Sequence, residues 1–387
     1  MGNRFTLDAI ATAIACTILA SAPTPAEEVE TQGGLRITSD DGAFGVELGG
    51  RIHFDTYLFD EDLVRTVDTT EFRRTRLTLS GEAFGWDYKV EQDFAAGNTT
   101  AGFRDVFIGT KVLGGYITLG QFKPYRSMEE LTSSNEITMM ERPFASATGL
   151  YSGRQFQQGV GYKFSGDRYT FGISAFNLRD AAAMRNAGVG AAGRVTWAPL
   201  MSESGTLHLG LSYSTENANR DTPDGSAAVN YAGRRGPSQT IATRLGATGD
   251  SIDAVGLEVA GNAGPFFAQA EYANATFGQE AAADVDVETF YVMASWTLTG
   301  ESKPYHSGNG VFRSVRPDAS TGAWELTARY DHMKNEDVAD LEVTSSTIGV
   351  NYYLNPSVRF MLNYTMGDNE LSGDETGQLA VRGQFSF

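Results

Sequence analysis

Between Phe44 and Phe59 the chain alternates with period 2. Phe44, Val46, Leu48, Gly50, Ile52, Phe54, Thr56 and Leu58 form a mostly apolar row, and Gly45, Glu47, Gly49, Arg51, His53, Asp55, Tyr57 and Phe59 a polar or charged one. Such alternation sets one face of a strand against an apolar medium and the other against a polar one. The run exceeds the roughly five or six residues usual in soluble strands and satisfies the nine to eleven or so that a tilted strand needs to cross a bilayer. The same criterion predicts sixteen strands: 44–59, 72–83, 86–96, 102–112, 114–122, 156–165, 168–178, 190–198, 205–216, 251–262, 265–278, 285–298, 321–333, 342–353, 357–367 and 378–387.

The links give an independent reading. Counting from the first, odd-numbered links are generally long (60–71, 123–155, 217–250, 334–341, 368–377) and even-numbered ones short (Phe84-Gly85, Leu113, Gly166-Asp167, Ala263-Gly264, Leu354 to Pro356). Long extracellular loops alternating with short periplasmic turns are the mark of a membrane barrel, and a soluble sandwich has no reason to produce them. The expected fold is therefore all-β, a transmembrane antiparallel β-barrel of sixteen strands. Two links stand out. The stretch from Gly114 to Arg154 opens as a strand and continues as a long segment with two prolines and a helical turn expected at Met128 to Leu131. Loops of that length are usually functional or disordered, and this third loop is expected to fold inward and narrow a pore. The link 299–320 falls on the short-turn side yet runs to 22 residues, and Lys303, Arg313 and Arg316 make it locally positive.

Composition changes this picture little. Of 387 residues, 44 are glycine, 11% are aromatic and 41% hydrophobic, and the mean hydropathy of -0.26 would suit a soluble protein. A barrel wall looks the same, since lipid-facing and lumen-facing residues alternate and no apolar run of eighteen arises. Arg4, the apolar stretch Ala9 to Ala20 and Ser21 to Ala26 have the three regions of a secretory signal. Cleavage is expected after Ala26, because Pro23 would make a poor first residue for a cut after Ala22. A lipoprotein signal ending at Ala15-Cys16 is disfavoured by Ala13, which stands where leucine is usual. The expected organisation is then signal peptide 1–26, a short periplasmic segment 27–43 and a barrel 44–387. Cys16 is the sole cysteine and lies in the signal, so no disulfide scaffold or thiolate metal site is expected in the mature chain. The net charge of -18 argues against nucleic acid as a partner, but ion preference depends on the sign that faces the narrowest part of a lumen.

Trp86, Tyr88, Trp197, Trp296, Trp324, Tyr352 and Tyr364 fall on apolar strand faces, as an interfacial belt requires. The last strand puts Leu379, Val381, Gly383, Phe385 and Phe387 on one face. Alternation sorts the cations too. Arg74 and Arg76 face the lumen with Arg51, Lys89, Arg194, Arg329, Arg359 and Arg382, whereas Arg73 belongs to the outer face near a strand end. Arginine offers a planar fork for phosphate or carboxylate, and lysine a compact charge. Glu47, Asp55, Glu82, Asp87, Glu91, Asp93, Glu325 and Asp331 share the lumen face, so cross-strand pairing is the competing use of each arginine. Cations converging at a constriction point to Lys123, Arg126 and the link 299–320. Catalytic patterns are poor: His53, His208, His306 and His332 lack metal-ligand spacing, and no nucleophile motif accompanies His53 or His208. No cofactor is expected.

Several stretches together resemble the phosphate-selective porin O and P family of outer membranes. They are Gly50-Arg51-Ile52 with Asp55, Glu71 to Leu77, Gly120 to Pro124, Glu129 to Ser134, Met140-Glu141-Arg142, Leu298 to Ser302, Ala323 to Leu326 with Arg329-Tyr330, and Asn351 to Pro356. The C-terminal phenylalanine likewise resembles the signal by which outer-membrane barrels are assembled. The resemblance implies a trimer of sixteen-stranded barrels, a third loop folded into the lumen, a long periplasmic turn at the constriction and a ladder of basic residues leading to an anion site. Carried over by motif, the ladder includes Arg73 and Arg74, Lys123, and Lys303, Arg313 and Arg316; Arg51, Arg76, Lys89 and Arg126 complete the candidate set. The chain departs from the family in having only six lysines and in placing His306 and arginines in the turn. Expected partners are small anions, outer-membrane lipid and lipopolysaccharide, and two further copies of the chain. The expected function is diffusion of small anions, phosphate and polyphosphate among the candidates. Competing readings are a general porin with weak cation preference, a barrel enzyme and an adhesive barrel.

Overall fold

The alternating segments form sixteen antiparallel strands that close on themselves. They are β1 (Phe44–Asp60), β2 (Thr69–Ala83), β3 (Trp86–Asp93), β4 (Phe103–Val112), β5 (Gly115–Phe122), β6 (Gln157–Ser165), β7 (Tyr169–Asp180), β8 (Arg185–Ser202), β9 (Gly205–Ala218), β10 (Ser251–Ala263), β11 (Phe266–Gly278), β12 (Val285–Thr297), β13 (Ala323–Asn335), β14 (Glu342–Tyr353), β15 (Val358–Asn369) and β16 (Gly377–Ser386). The structure, a computed structural model, describes residues 28–30, 35–97, 100–146, 150, 155–180, 185–218, 225–244, 251–279 and 283–387. The expected signal peptide 1–26, with Cys16, and Arg220 of the fifth long link lie outside the described residues.

Closure is what makes such a sheet stable in hydrocarbon, because every strand finds a partner on both sides and no edge is left. β16 runs against β1 from Gly377 opposite Asp60 to Ser386 opposite Arg51. Phe387 extends the seam, exchanging backbone hydrogen bonds of 2.9 and 3.1 Å with Gly50. A Cβ at Gly50 would lie 2.7 Å from the Phe387 ring, so only glycine lets that ring settle there. Where β16 ends, the short strand Leu35–Thr38 takes over as partner to Gly45 through Leu48 of β1.

The two faces follow the alternation. Ile52, Phe54 and Leu58 are exposed on β1, while His53, Asp55 and Tyr57 between them are 0% exposed. Trp86, Trp197, Trp296, Trp324 and Tyr352 all lie toward the short-turn ends of their strands and are exposed or nearly so. Trp324 and Tyr352 stack there at 4.4 Å between ring centroids. The turns Phe84-Gly85 and Leu113-Gly114 have positive φ at both residues, 53° and 79°, then 50° and 78°, which type I′ hairpins demand and which matches strand twist.

Three features were not in the period-2 pattern. Residues 225–244, expected only as loop, contain a hairpin of Gly225–Asn230 and Ser238–Arg244. It buries Ala227, Val229, Tyr231 and Ile241 against Ile252, Phe277, Val287, Met333 and Val343. Arg234 and Arg235 both grip Glu71 of β2. The link 298–322 contains a tiny hairpin, Tyr305–His306 with Val311–Phe312. Finally, β2 has a β-bulge: His53 pairs with Arg74 and Phe54 with Phe72, leaving Arg73 as the extra residue. The sequence reading placed Arg73 on the outer face; the bulge turns it to the same side as Arg74, where its guanidinium meets Glu141.

Candidate functional site

The segment after β5 begins at Lys123 and forms the expected helical turn, Met128–Leu131, capped by Ser127, whose hydroxyl accepts from the Glu130 N–H. Ser127 has φ of 55°, a strained conformation for a non-glycine residue. Glu271 of β11 holds the start of the turn, accepting from the N–H groups of Met128 and Glu129 at 2.9 and 2.8 Å. Further along, Arg359 of β15 donates to the carbonyls of Ile137 and Thr138, both at 2.8 Å. Arg382 of β16 donates to the Met140 carbonyl at 2.6 Å and to Asp55 through two nitrogens. Arg329 of β13 donates to the Glu141 carbonyl at 2.7 Å, and the Phe144 N–H donates to Asp331. Arginines on the wall therefore fix this segment largely through its backbone carbonyls, with the side chains of Glu141 and Ser134 taking the rest.

Among the described residues three cavities meet the segment, and two of them are rich in charge. One, of about 240 Å³, gathers Arg51 of β1, Arg76 of β2, Lys89 of β3, Lys123 and Arg142 around Glu91, Asp105, Ser133, Ser134 and Asn309. The other, of about 100 Å³, is lined by Arg73, Glu141, Arg142, Arg234 and Arg329 with residues of β14 to β16 and of the 225–244 hairpin. Arg142 lines both.

The link 298–322 enters from the short-turn end. Arg194 of β8 donates to the carbonyls of Asn309 and Gly310 at 2.8 and 2.7 Å and pairs with Glu258 of β10 through two nitrogens. His208 of β9 bridges Glu258 and the Tyr305 hydroxyl. These bonds bring the Asn309 side chain to the larger cavity.

A family model described as phosphate-selective porin O and P matches residues 46–387. The chain belongs to this porin family. It is 28% identical to Porin O of Pseudomonas aeruginosa over 93% of this chain and 92% of that protein. It is 27% identical to an uncharacterized protein of Caulobacter vibrioides over 84% of this chain and 69% of that protein. Among solved structures it shares its fold with OmpT, an outer membrane protein of Vibrio cholerae, at a TM-score of 0.60 and 14% identity over 90% of this chain and 99% of that one. An anion-selective porin from Comamonas acidovorans matches at a TM-score of 0.61 and 13% identity over 88% and 99%.

The candidate cations of this porin divide by partner. Arg51 pairs with Glu91 at 3.1 Å and donates to Ser134. Arg76 pairs with Glu91 and Asp93 at 2.8 and 2.9 Å, and Lys89 with Asp105 at 2.7 Å. Arg73 forms a fork with Glu141 at 2.8 and 2.9 Å. Arg126 pairs with Glu216 of β9 and Lys303 with Glu325 of β13, both buried and outside the two cavities. Arg313 stands 3.9 Å from Glu136, and Arg316 is exposed. Arg74 is 2% exposed and meets the His53 ring at 3.4 Å. Of the turn expected to join Lys123, the structure thus brings Asn309 to its cavity rather than Lys303.

Lys123 and Arg142 differ from the rest. The Lys123 ammonium donates to the carbonyls of Glu130 and Thr132 at 2.6 and 3.2 Å, and Arg142 to those of Glu129 and Thr132 at 3.0 and 2.6 Å. Among the described residues no carboxylate forms an ion pair with either. Burial, and then the positive charge of Arg142, push the Lys123 pKa down to about 7. Three surrounding arginines hold Glu141 well below the usual carboxylate range despite its burial. Arg142 lies outside the candidate cations that alternation and the turn pick out; its place in the family-like motif Met140-Glu141-Arg142 is the sequence signal that points to it.

Proposed function

We propose that this chain is an outer-membrane porin through which small anions diffuse with a binding step, inorganic phosphate and polyphosphate being the class in view. The observation that carries the reading is the 240 Å³ cavity with five cationic side chains, Arg51, Arg76, Lys89, Lys123 and Arg142, against two carboxylates, Glu91 and Asp105. Lys123 and Arg142 are held by carbonyl dipoles rather than by direct ion pairs, so their charges are only partly offset by the more distant Glu129, Glu130 and Asp105, and a low-dielectric surround makes them count. Residues 123–146 lie in the lumen and narrow it. This rests on bonds from β1, β7, β9, β11, β13, β15 and β16 to one segment, since strands that circle a closed barrel can reach one segment together only from inside. Arg313 and Arg316 extend the positive path toward one mouth, while Arg73, forked to Glu141, and the buried Arg74, Arg126 and Lys303 hold the inserted segments and the wall.

Family membership supports a channel rather than an enzyme. His53 and His208 are fully buried, and among the described residues no serine hydroxyl bonds to either ring; Asn135, Arg74, Glu258 and Tyr305 hold them instead. Family membership and the barrel neighbours support the outer membrane as the location, reached by cleavage of the signal 1–26, with lipid and lipopolysaccharide around the apolar outer face. OmpT of Vibrio cholerae has been solved in a trimer form, and a homotrimer is the assembly proposed here. Single channels in planar bilayers test the function: added phosphate should reduce chloride current with saturation, and substitution of Lys123 or Arg142 by glutamine should raise the phosphate needed. An electrically silent protein would favour the adhesive reading, and phosphate without effect would remove the binding step.

A further inference from the structure

Beside the polar cavity at Lys123 lies a second one of about 230 Å³, also reached by Lys123 but built differently. Its wall is aromatic, with Phe107 of β4, Tyr116 and Phe122 of β5, and Tyr125 from the inserted segment. We propose that this cavity binds small aromatic carboxylates such as benzoate, beside the path used by inorganic anions; the proposal rests on the chain admitting anions at all.

The wall is shaped for rings. A Cβ at Gly172 of β7 would lie 2.7 Å from Cγ of Tyr125, and one at Gly161 of β6 would lie 2.9 Å from the Phe122 ring and 3.0 Å from the Tyr125 ring. The absence of side chains at these facing positions lets both rings lie against the barrel wall. Phe122 and Tyr125 are 6.0 Å apart at 39°. Phe122 is buried, whereas Phe107, Tyr116 and Tyr125 keep part of their surface open. Open ring faces beside water are a poor arrangement for inorganic phosphate, which has no apolar surface to cover them, and a good one for a planar ring, which does.

Charge is present at the same place. Lys163 of β6 lines the cavity and donates to the side-chain oxygen of Asn309; among the described residues no carboxylate pairs with it. Asp105 and Arg194 also line the cavity, the first paired with Lys89 and the second with Glu258, so Lys163 and Lys123 are left to supply two ammonium groups for a carboxylate whose ring rests on Tyr125. The volume is several times the roughly 30 Å³ share of a liquid water, enough for a single ring and too small for a drug-sized ligand.

The test compares benzoate, acetate and phosphate as blockers of single-channel chloride current in the full-length porin. The wild type should be half-blocked by benzoate at about one-tenth the concentration of acetate, a ring contact being worth about that factor. Tyr125→Ser should bring benzoate to the level of acetate while leaving phosphate block unchanged, its chloride current showing that the barrel is folded. Lys163→Gln should weaken benzoate. Equal block by benzoate and acetate in the wild type, which needs no variant, or a benzoate preference that survives Tyr125→Ser, would overturn the proposal. Either outcome with an anion-selective reversal potential removes the aromatic site alone. A cation-selective reversal potential removes the anion reading beneath it.

Discussion

Lys123 should make anion binding depend on pH across neutrality. With its pKa pushed down to about 7, the ammonium is about nine-tenths charged at pH 6 and about one-tenth at pH 8. A unit charge about 5 Å from a bound anion contributes roughly 0.8 kcal/mol at the dielectric of water and roughly 3 at an effective value of 20. After screening by salt, about 1–2 kcal/mol is a reasonable share, a fall of roughly 5- to 30-fold in affinity between the two pH values. The sign follows from the direction of the shift: binding is strong below pH 7 and weakens as the proton leaves. Sulfate is the suitable probe, because phosphate changes charge in this range. The assay is the sulfate concentration that halves single-channel chloride current at pH 6 and pH 8. Lys123→Arg, charged at both, should bind tightly at both; Lys123→Gln should bind weakly at both. Burial and the charges of Arg313 and Lys163 lower the pKa of His306, so its contribution fades first. A pH response of wild-type size in Lys123→Arg would refute the assignment.

Three further outcomes follow from the same contacts. Arg382→Gln leaves Asp55 buried without its partner, and breaking such a pair costs about 3–5 kcal/mol; equilibrium unfolding in urea and detergent should show that loss, and an unchanged midpoint would contradict it. Gly50→Ala forces the Phe387 ring from the closing seam, a cost of about 1–3 kcal/mol, so the barrel should unfold at a lower temperature on heated gels, whereas Gly383→Ala, with nothing within 4 Å, should not change it. Glu71→Ala releases Arg234 and Arg235, and trypsin should then cut after them faster, as mass spectrometry would read; equal rates would mean that packing alone holds the hairpin.

The wall of this barrel was legible because its two environments repeat with the strand period. Ile52 and Phe54 must meet lipid, so His53 and Asp55 between them must face inward, and link lengths then fix which end is which. Insertion of one residue escapes such counting, and the bulge in β2 therefore turns Arg73 to the face opposite to the one that alternation gives it. The 225–244 hairpin left a trace that alternation alone undervalues: Ile252, Phe277, Val287 and Met333 occupy inward positions where polar residues are the rule, and apolar groups there need a cover. Pairing was the least legible part. Arg76 and Lys89 face the lumen as expected, but whether their charges are free depends on register with Glu91, Asp93 and Asp105, which no single strand encodes. Lys163 shows the converse, since it sits in no family-like motif and yet lines a cavity with Lys123. Arg126 and Lys303 are equivalent to Lys123 by sequence and differ from it because Glu216 and Glu325 are within reach.

The central claim is that positive charge governs the narrow part of this lumen although the chain as a whole carries -18. Reversal potential in a tenfold potassium chloride gradient across a planar bilayer tests it most directly. The account predicts a potential of the sign set by chloride, reduced in Lys123→Gln and Arg142→Gln; a potential of the sign set by potassium in the wild type would contradict it.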